Sequence, residues 1–219
     1  MDTRDAQFLF KETRLNLEPT SSASVVNIRV PSGGANGRSQ RKLAAEATFE
    51  DETTFRLKNL ATASSVYHRK WHDSPRSFLW RVLEDGKVLS IRAIDVCKND
   101  KTPDAPLILN LKFDATIQPG CVAFADPKEH DALAVHVLDT TSQLYTFTLR
   151  PDSFRKKAAV DAGLNGTAKV QAPTGLGFKQ AHRMVAVSSE LLIITSNDGG
   201  LIRFDKSGAH DRESALLNP

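Results

Sequence analysis

Two histidines with metal-ligand spacing are the first residues whose types suggest chemistry. His68 and His72 are four residues apart and Asp73 follows, so on a helix both imidazoles would share one face and could bind zinc. However, no Glu follows His68, and Ser74-Pro75 would end a helix at this point. We therefore interpret the segment as a polar loop and expect no metal site.

Two further segments carry hydroxyls and carboxylates without the partners that catalysis needs. Ser188-Ser189-Glu190 and Asp139-Thr140-Thr141-Ser142 have no histidine beside them to act as general base. Short polar side chains that bond to the backbone of a turn explain both segments. Asn197-Asp198-Gly199-Gly200 lacks the glycine spacing of a phosphate-binding loop. We expect no catalytic residue, no cofactor and no cofactor-binding residue.

A group of basic and aromatic residues raises the alternative of single-stranded nucleic-acid binding. The group consists of Tyr67, Arg69, Lys70, Trp71, Arg76, Trp80 and Arg81. Strand packing is the favoured interpretation, because Trp80 lies on the apolar side of an alternating strand whose other side carries Arg81. In the whole chain, 29 Lys and Arg are balanced by 26 Asp and Glu. The sequence therefore predicts no direct nucleic-acid partner.

Composition indicates an ordinary soluble domain. The chain has 219 residues, of which 40% are hydrophobic and 25% charged, and its net charge is +3. No window approaches the run of about 18 apolar residues of a transmembrane helix, and the charged N-terminus does not resemble a signal peptide. Cys97 and Cys121 are the only cysteines, which is typical of reduced, packed thiols. We expect a nuclear or cytosolic protein.

Three stretches show the period-2 alternation of β-hairpins. They are Ser77–Val96 around Asp85-Gly86, Ala132–Leu149 around Thr140-Thr141, and Leu191–Phe204 around Asp198-Gly199. Ser24–Val30 and Leu107–Phe113 are predicted as single strands. The alternation places the following side chains in the core: Leu79, Val82 or Leu83, Leu133, Val135, Leu192 and Ile194.

Two units share one layout, in which a small buried strand precedes a hairpin. Cys121–Ala125 precedes the second hairpin and Met184–Val187 precedes the third. This is the layout of a propeller blade, whose first strand lies near the axis, and we favour a propeller over a β-sandwich. The spacing of the units exceeds the usual repeat of about 40 to 50 residues. The blades therefore carry insertions, and one of them is a short helix after Pro151.

The remaining segments give weaker patterns. Lys42–Phe49 is compatible with a helical turn, and Thr53–Leu57 alternates like a strand. We interpret Ser64–Pro75 as a connection packed by Tyr67 and Trp71. Ala162–Gly177 contains four of the twelve glycines, which favours a loop.

Three motifs resemble fungal members of the nucleoporin 120/160 family, the large propeller nucleoporins of the Y-shaped outer-ring complex. The residues that carry the resemblance are Pro75–Leu89, Gln143–Arg155 and Asp198–Phe204. The resemblance covers about residues 64 to 205. It implies a structural scaffold without chemistry of its own, located at the nuclear pore in the nuclear envelope. Other outer-ring nucleoporins would be its partners, and it would support nucleocytoplasmic transport, including mRNA export.

The predicted architecture is therefore all-β, a partial WD40-like β-propeller of about three blades with a short helical insertion. We expect an N-terminal strand and variable loops in residues 1–63, and the partial propeller in residues 64–219. Family members are several times longer, so this chain would end before the ring closes. The alternative function is an unrelated WD40-type adaptor that presents a peptide-binding face, and an enzyme ranks third.

Overall fold

The computed structural model describes residues 25–30, 40–42, 44–46, 61–71, 77–83, 86–94, 108–128, 130–150, 154, 167–171 and 180–205. Fourteen strands and no α-helix lie in these residues. The strands are β1 Val25–Arg29, β2 Gln40–Lys42, β3 Ala44–Glu46, β4 Ala61–His68, β5 Ser77–Leu83, β6 Val88–Ile94, β7 Ile108–Lys112, β8 Ile117–Ala125, β9 Leu133–Asp139, β10 Leu144–Leu149, β11 Thr167–Gln171, β12 Ala181–Ala186, β13 Leu191–Ser196 and β14 Leu201–Asp205. The described part contains no helix with the length and hydropathy that crossing a bilayer requires.

The strands form three sheets, each built on consecutive antiparallel strands. Sheet A has the order β3-β1-β7-β6-β5-β4, sheet B the order β2-β11-β10-β9-β8, and sheet C the order β12-β13-β14. β1 is the exception, because it pairs with β7 in parallel, with Val25 opposite Ile108. The meanders β4–β7 and β8–β11 have the four-stranded layout of a propeller blade.

All three predicted hairpins are confirmed. β5 pairs with β6, β9 with β10, and β13 with β14. Gly86 and Gly199 take the positive φ values, +66° and +83°, that the first and third turns need. In the second turn Ser142 adopts a φ of 62°. The carboxylate of Asp139 stabilises that turn by accepting hydrogen bonds from the backbone N–H groups of Thr141 and Gln143, both at 2.9 Å.

Two hydrophobic clusters join the sheets. The first lies between sheets A and B and includes Phe78, Leu111, Val135 and Phe147. The second lies between sheets B and C and includes Leu138, Leu192 and Ile194. Sheet B therefore lies between the other two. All side chains predicted for the core are buried: Leu79, Val82, Leu83, Leu133, Val135, Leu192 and Ile194.

Three predictions of local structure are wrong. Ser64–His68 is not a connection but part of β4. β4 is an edge strand, and its exposed serines interrupt the alternation of apolar and polar residues by which a strand is recognised. Residues 44–46 of the expected helical turn form β3, and residues 167–171 of the expected loop form β11. In each case pairing with another strand selects the extended conformation, so the local pattern of a single segment is a weak guide.

The strand before the third hairpin is also more open than predicted. Met184 is buried, but Val185 is 49% exposed and Val187 is 59% exposed. One face of β12 packs on sheet B, and no described residue covers the other. The expected strand at residues 53–57 and the expected helix after Pro151 lie outside the described residues, apart from the buried Phe154.

Strands on both sides of residue 63, where we expect the two segments to divide, belong to the same sheets. β4 runs across that position, and β1 and β3 join sheet A. β2 joins sheet B by pairing with β11. Strands from the N-terminal segment thus extend the two sheets that the later residues form.

Candidate interaction cleft

One edge strand of each of the three sheets faces a common cleft. β4, β8 and β12 each lie at the edge of their sheet. Together they line a cavity of about 730 Å³. A strand at a sheet edge carries backbone groups without a partner on one side, and such edges are where extended segments of other chains can pair. This cleft is the candidate functional site.

An aromatic stack forms one wall of the cleft. The ring of Phe124 on β8 stacks on Tyr67 of β4, with centroids 5.7 Å apart, and on Trp80 of β5, at 6.0 Å. Burial and the nearby charge of Asp126 raise the pKa of the Tyr67 phenol to about 12. The predicted packing of Trp80 is confirmed, because Trp80 is partly buried against the cluster between sheets A and B.

A buried ion pair joins the segments that follow β4 and β8, two of the strands that line the cleft. Arg69 follows β4 and is 1% exposed, and its Nη2 atom lies 3.1 Å from Oδ1 of Asp126, which follows β8. Oδ2 of Asp126 accepts hydrogen bonds from the backbone N–H groups of Lys70 and Trp71, at 3.0 and 2.9 Å. Arg69 also donates to Asp131 at 2.8 Å. Asp126 thus fixes the chain that leaves β4 against the end of β8.

A second groove of about 680 Å³ continues from the cleft past this ion pair. It shares Tyr67, Phe124 and Ala186 with the cleft. Trp71 stands on its rim and is 53% exposed, so the prediction that Trp71 packs the connection is wrong. The ammonium group of Lys128 lies 4.2 Å from the centroid of the Trp71 ring, a cation–π contact.

The residues singled out for chemistry are held in structural contacts. Nδ1 of His68 lies 2.8 Å from Oγ of Ser77 on the neighbouring strand. His72, Asp73 and Arg76 lie outside the described residues. Oγ of Ser188 accepts hydrogen bonds from the backbone N–H groups of the two residues after Ser189, as predicted for a turn. No group of three or more metal-ligating side chains occurs in the part of the chain that the structure describes.

Cys121 and Asp198 also have structural environments. Cys121 is a free, buried thiol, and burial raises its pKa to about 11. Such a thiol is a poor nucleophile. Asp198 accepts hydrogen bonds from the Ser196 hydroxyl and from the backbone N–H of Gly200, at 3.2 Å for the latter. Its role in the third turn is the one that Asp139 has in the second.

No sequence pattern pointed to the residues that shape this site. Arg69 appeared only as one member of a basic and aromatic group, and no sequence pattern singled out Asp126. They are 57 positions apart in the chain and meet because the segments that follow β4 and β8 come together in the fold. A local sequence pattern cannot predict a contact between two residues that are this far apart in the chain.

Comparisons with known proteins agree with the all-β fold. Residues 76–216 match a family model described as "Nucleoporin Nup120/160, beta-propeller domain", which confirms the predicted fold class. The chain is also similar to "Nucleoporin NUP120" of Chaetomium thermophilum, with 51% identity over 210 residues. That alignment covers 94% of this chain and 17% of the relative, so the chain spans less than a fifth of that protein's length.

Proposed function

The chain belongs to the nucleoporin Nup120/160 β-propeller family, and from this premise we propose that it is a structural part of the outer ring of the nuclear pore. The observation that carries the proposal is the 51% identity to a nucleoporin across 94% of the chain. We place the chain at the nuclear envelope, in contact with other outer-ring nucleoporins. Its contribution to transport, including mRNA export, would follow from holding the assembled pore together.

The geometry supports binding to proteins as the mode of action. Sheet C has a face on which Val185 is exposed and Ile193 is partly exposed, beside the edge strand β12. An apolar face with an open strand edge is a surface that proteins bury against one another. The proposal assigns no catalytic step to the chain.

The proposal is tested in a full-length member of the family. A fluorescently tagged full-length protein is expressed with and without the segment corresponding to residues 25–205. We expect the intact protein at the nuclear rim, with other pore proteins co-purifying, and we expect the shortened form to lose a subset of those proteins. Diffuse fluorescence of the intact protein would contradict the proposal. Nuclear accumulation of polyadenylated RNA after depletion tests the transport role separately.

A further inference from the structure

The two strands that face each other across the interface between sheets B and C are both irregular. Along β8 the pairing with β9 skips from Ile117 to Val122, and along β12 His182 lies between two positions that pair with adjacent residues of β13. β8 leaves its ladder at Gln118-Pro119-Gly120, where the proline has no N–H to donate and the glycine adopts a φ of +74°. Irregularities of this kind turn backbone groups and side chains away from the ladder of their own sheet.

The two irregular segments contact each other through one hydrogen bond and one close approach. Nε2 of Gln118 donates to the backbone carbonyl of Ala181 at 2.8 Å, and Gln118 is 7% exposed. A Cβ atom at Gly120 would stand only 2.8 Å from the backbone carbonyl oxygen of His182. Glycine is therefore required at this position by the contact as well as by its φ. We call these contacts the Gln118 clip and define it by Gln118, Gly120, Ala181 and His182.

The remainder of the interface between sheets B and C constrains the angle between them less strongly. Small side chains such as Ala123 and Ala181 meet in its apolar cluster, and hydrophobic contact is not directional. At the far ends of the same two strands, Ala125 and Ala186 line the groove of about 680 Å³, so open space lies between the strands there. The Gln118 clip thus supplies a directional contact at the near end of the interface.

The Gln118 clip also lines the candidate cleft, because all four of its residues lie in the wall formed by β8 and β12. We propose that the clip is the pivot of sheet C. While the clip is closed, β12 is held against β8 and the cleft keeps its width. When the clip opens, sheet C swings away from β4 and the cleft widens. A segment that binds in the cleft would favour one of these two states.

This inference rests on the proposed function, because it describes how the cleft that would bind another protein is held and opened. Its test measures a distance in the purified chain, whereas the proposed function is tested by localisation and co-purification in cells. A failure of one is therefore distinct from a failure of the other.

The width of the cleft is measured by double electron–electron resonance between nitroxide labels at Val66→Cys and Val185→Cys. Both valines line the cleft and are 49% exposed, one on β4 and the other on β12. Cys97→Ser removes one natural thiol, and Cys121 is kept because it is buried. The labelled chain is diluted with unlabelled chain, so that the measured distances lie within one molecule.

The clip variants are Gly120→Ala, which places a methyl group against the carbonyl of His182, and Gln118→Met, which removes the donor from a side chain of similar length. The matched control is Gly199→Ala. Gly199 also has a positive φ, +83°, but a Cβ atom there would meet nothing within 4 Å. Both glycine variants therefore strain the backbone, and only Gly120→Ala also pushes on β12. A melting curve verifies that each variant is folded.

We expect a narrow distance distribution in the chain with an intact clip. Gln118→Met should raise the population at longer distances roughly fivefold, as the loss of one buried hydrogen bond does. Gly120→Ala should have at least this effect, and Gly199→Ala should leave the distribution unchanged. An unchanged distribution in the folded clip variants, or an equal change in Gly199→Ala, would overturn the proposal. If Gly120→Ala does not fold, the comparison of Gln118→Met with Gly199→Ala decides in the same way.

Discussion

The interface between sheets A and B and the interface between sheets B and C are built from different side chains. All four aromatic pairs among the described residues lie at the A–B interface, including Phe78–Phe154 and Phe113–Tyr145, each with centroids 5.1 Å apart. The B–C interface contains smaller residues such as Cys121, Ala123 and Ala181. Larger buried area stabilises the first interface more strongly.

The middle sheet B and the outer sheet C also differ in how far their faces are covered. Every residue of β9 in sheet B is buried, because sheet B is covered on both faces. In sheet C alternate residues of β13 are only partly buried, and Arg203 of β14 is exposed. In a stack of repeats stability is close to a sum over neighbouring interfaces, so a sheet with one covered face is the first to open. The difference indicates a rigid A–B unit to which sheet C is more weakly attached.

The largest expected effect comes from the buried carboxylate between sheets A and B. Asp126→Ala leaves the buried Arg69 without its main counter-charge and frees two backbone N–H groups. We expect a loss of about 3–5 kcal/mol in the free energy of unfolding, measured with urea. Asp131→Ala is the matched control, because Asp131 contacts the same arginine with a side chain that is 57% exposed. Equal effects of the two variants would contradict the buried role of Asp126.

Truncating one leucine at each interface compares the interfaces directly. Leu133 belongs to the A–B cluster and Leu192 to the B–C cluster, and they are 0% and 1% exposed. Such truncations cost about 2–5 kcal/mol, depending on how well the site collapses. We expect Leu133→Ala near the upper end and Leu192→Ala near the lower end, by urea unfolding. The exposed Val66→Ala is the control, and a Leu192→Ala effect as small as that of Val66→Ala would show that Leu192 is not in the core.

The hairpins were predictable from sequence because the residues that form each turn and its two strands are close together in the chain. Gly86 and Gly199 lie between alternating runs, and the positive φ they adopt is the reason glycine is needed there. β4 was missed because Ser64, Ser65 and Val66 are all exposed on an edge strand, so no apolar period remains. The cleft was not predictable for a different reason. Its parts come from three sheets, and only the folded chain brings them together.

A smaller effect, which depends on protein concentration, is self-association through the open face of sheet C. Val185 is 49% exposed there and lies on the edge strand β12, so burial of this side chain against another chain is favourable. We expect the 219-residue chain to be marginally stable and to self-associate in analytical ultracentrifugation. Val185→Lys should weaken the association about tenfold, because the added charges repel across the interface. A form of the protein extended by further blades should be monomeric and more stable.

The same change on the edge strand β4 of sheet A serves as the control for that experiment. Val66→Lys adds an identical charge to a valine that is also 49% exposed but lies on β4. We expect Val66→Lys to leave self-association unchanged. A well-behaved monomer from the unmodified chain, unfolding as cooperatively as the extended form, would mean that sheet C has no open face in solution.

The smallest effect is a pH dependence confined to the A–B unit. The chain has two tyrosines, Tyr67 and Tyr145. Burial and the charge of Asp126 raise the pKa of Tyr67 to about 12, and burial with the charge of Asp139 raises the pKa of Tyr145 further. A free phenol has a pKa of about 10. The folded state therefore favours the protonated phenols, and their contribution to stability is complete below pH about 10 and is lost as the pH rises toward the folded-state values.

Ultraviolet absorbance of phenolate follows this ionisation. We expect the folded chain to show no tyrosine ionisation near the pKa of the free phenol, and the urea-unfolded chain to ionise there. Tyr67→Phe should flatten the alkaline fall in stability without removing it, because Tyr145 still titrates. Ionisation of both tyrosines at the free value in the folded chain would mean that water reaches the A–B interface.

Hydrogen exchange of the backbone amides, measured peptide by peptide by mass spectrometry, tests most directly whether sheet C is attached more weakly than sheets A and B are to each other. Local opening lets weakly attached elements exchange before the globally protected core does. We predict the slowest exchange in β9 and β10 of sheet B and faster exchange in β13 and β14 of sheet C, although both hairpins have complete internal pairing. Equal protection of the two hairpins, or slower exchange in sheet C, would contradict the conclusion that sheet C is the weakly attached end of the stack.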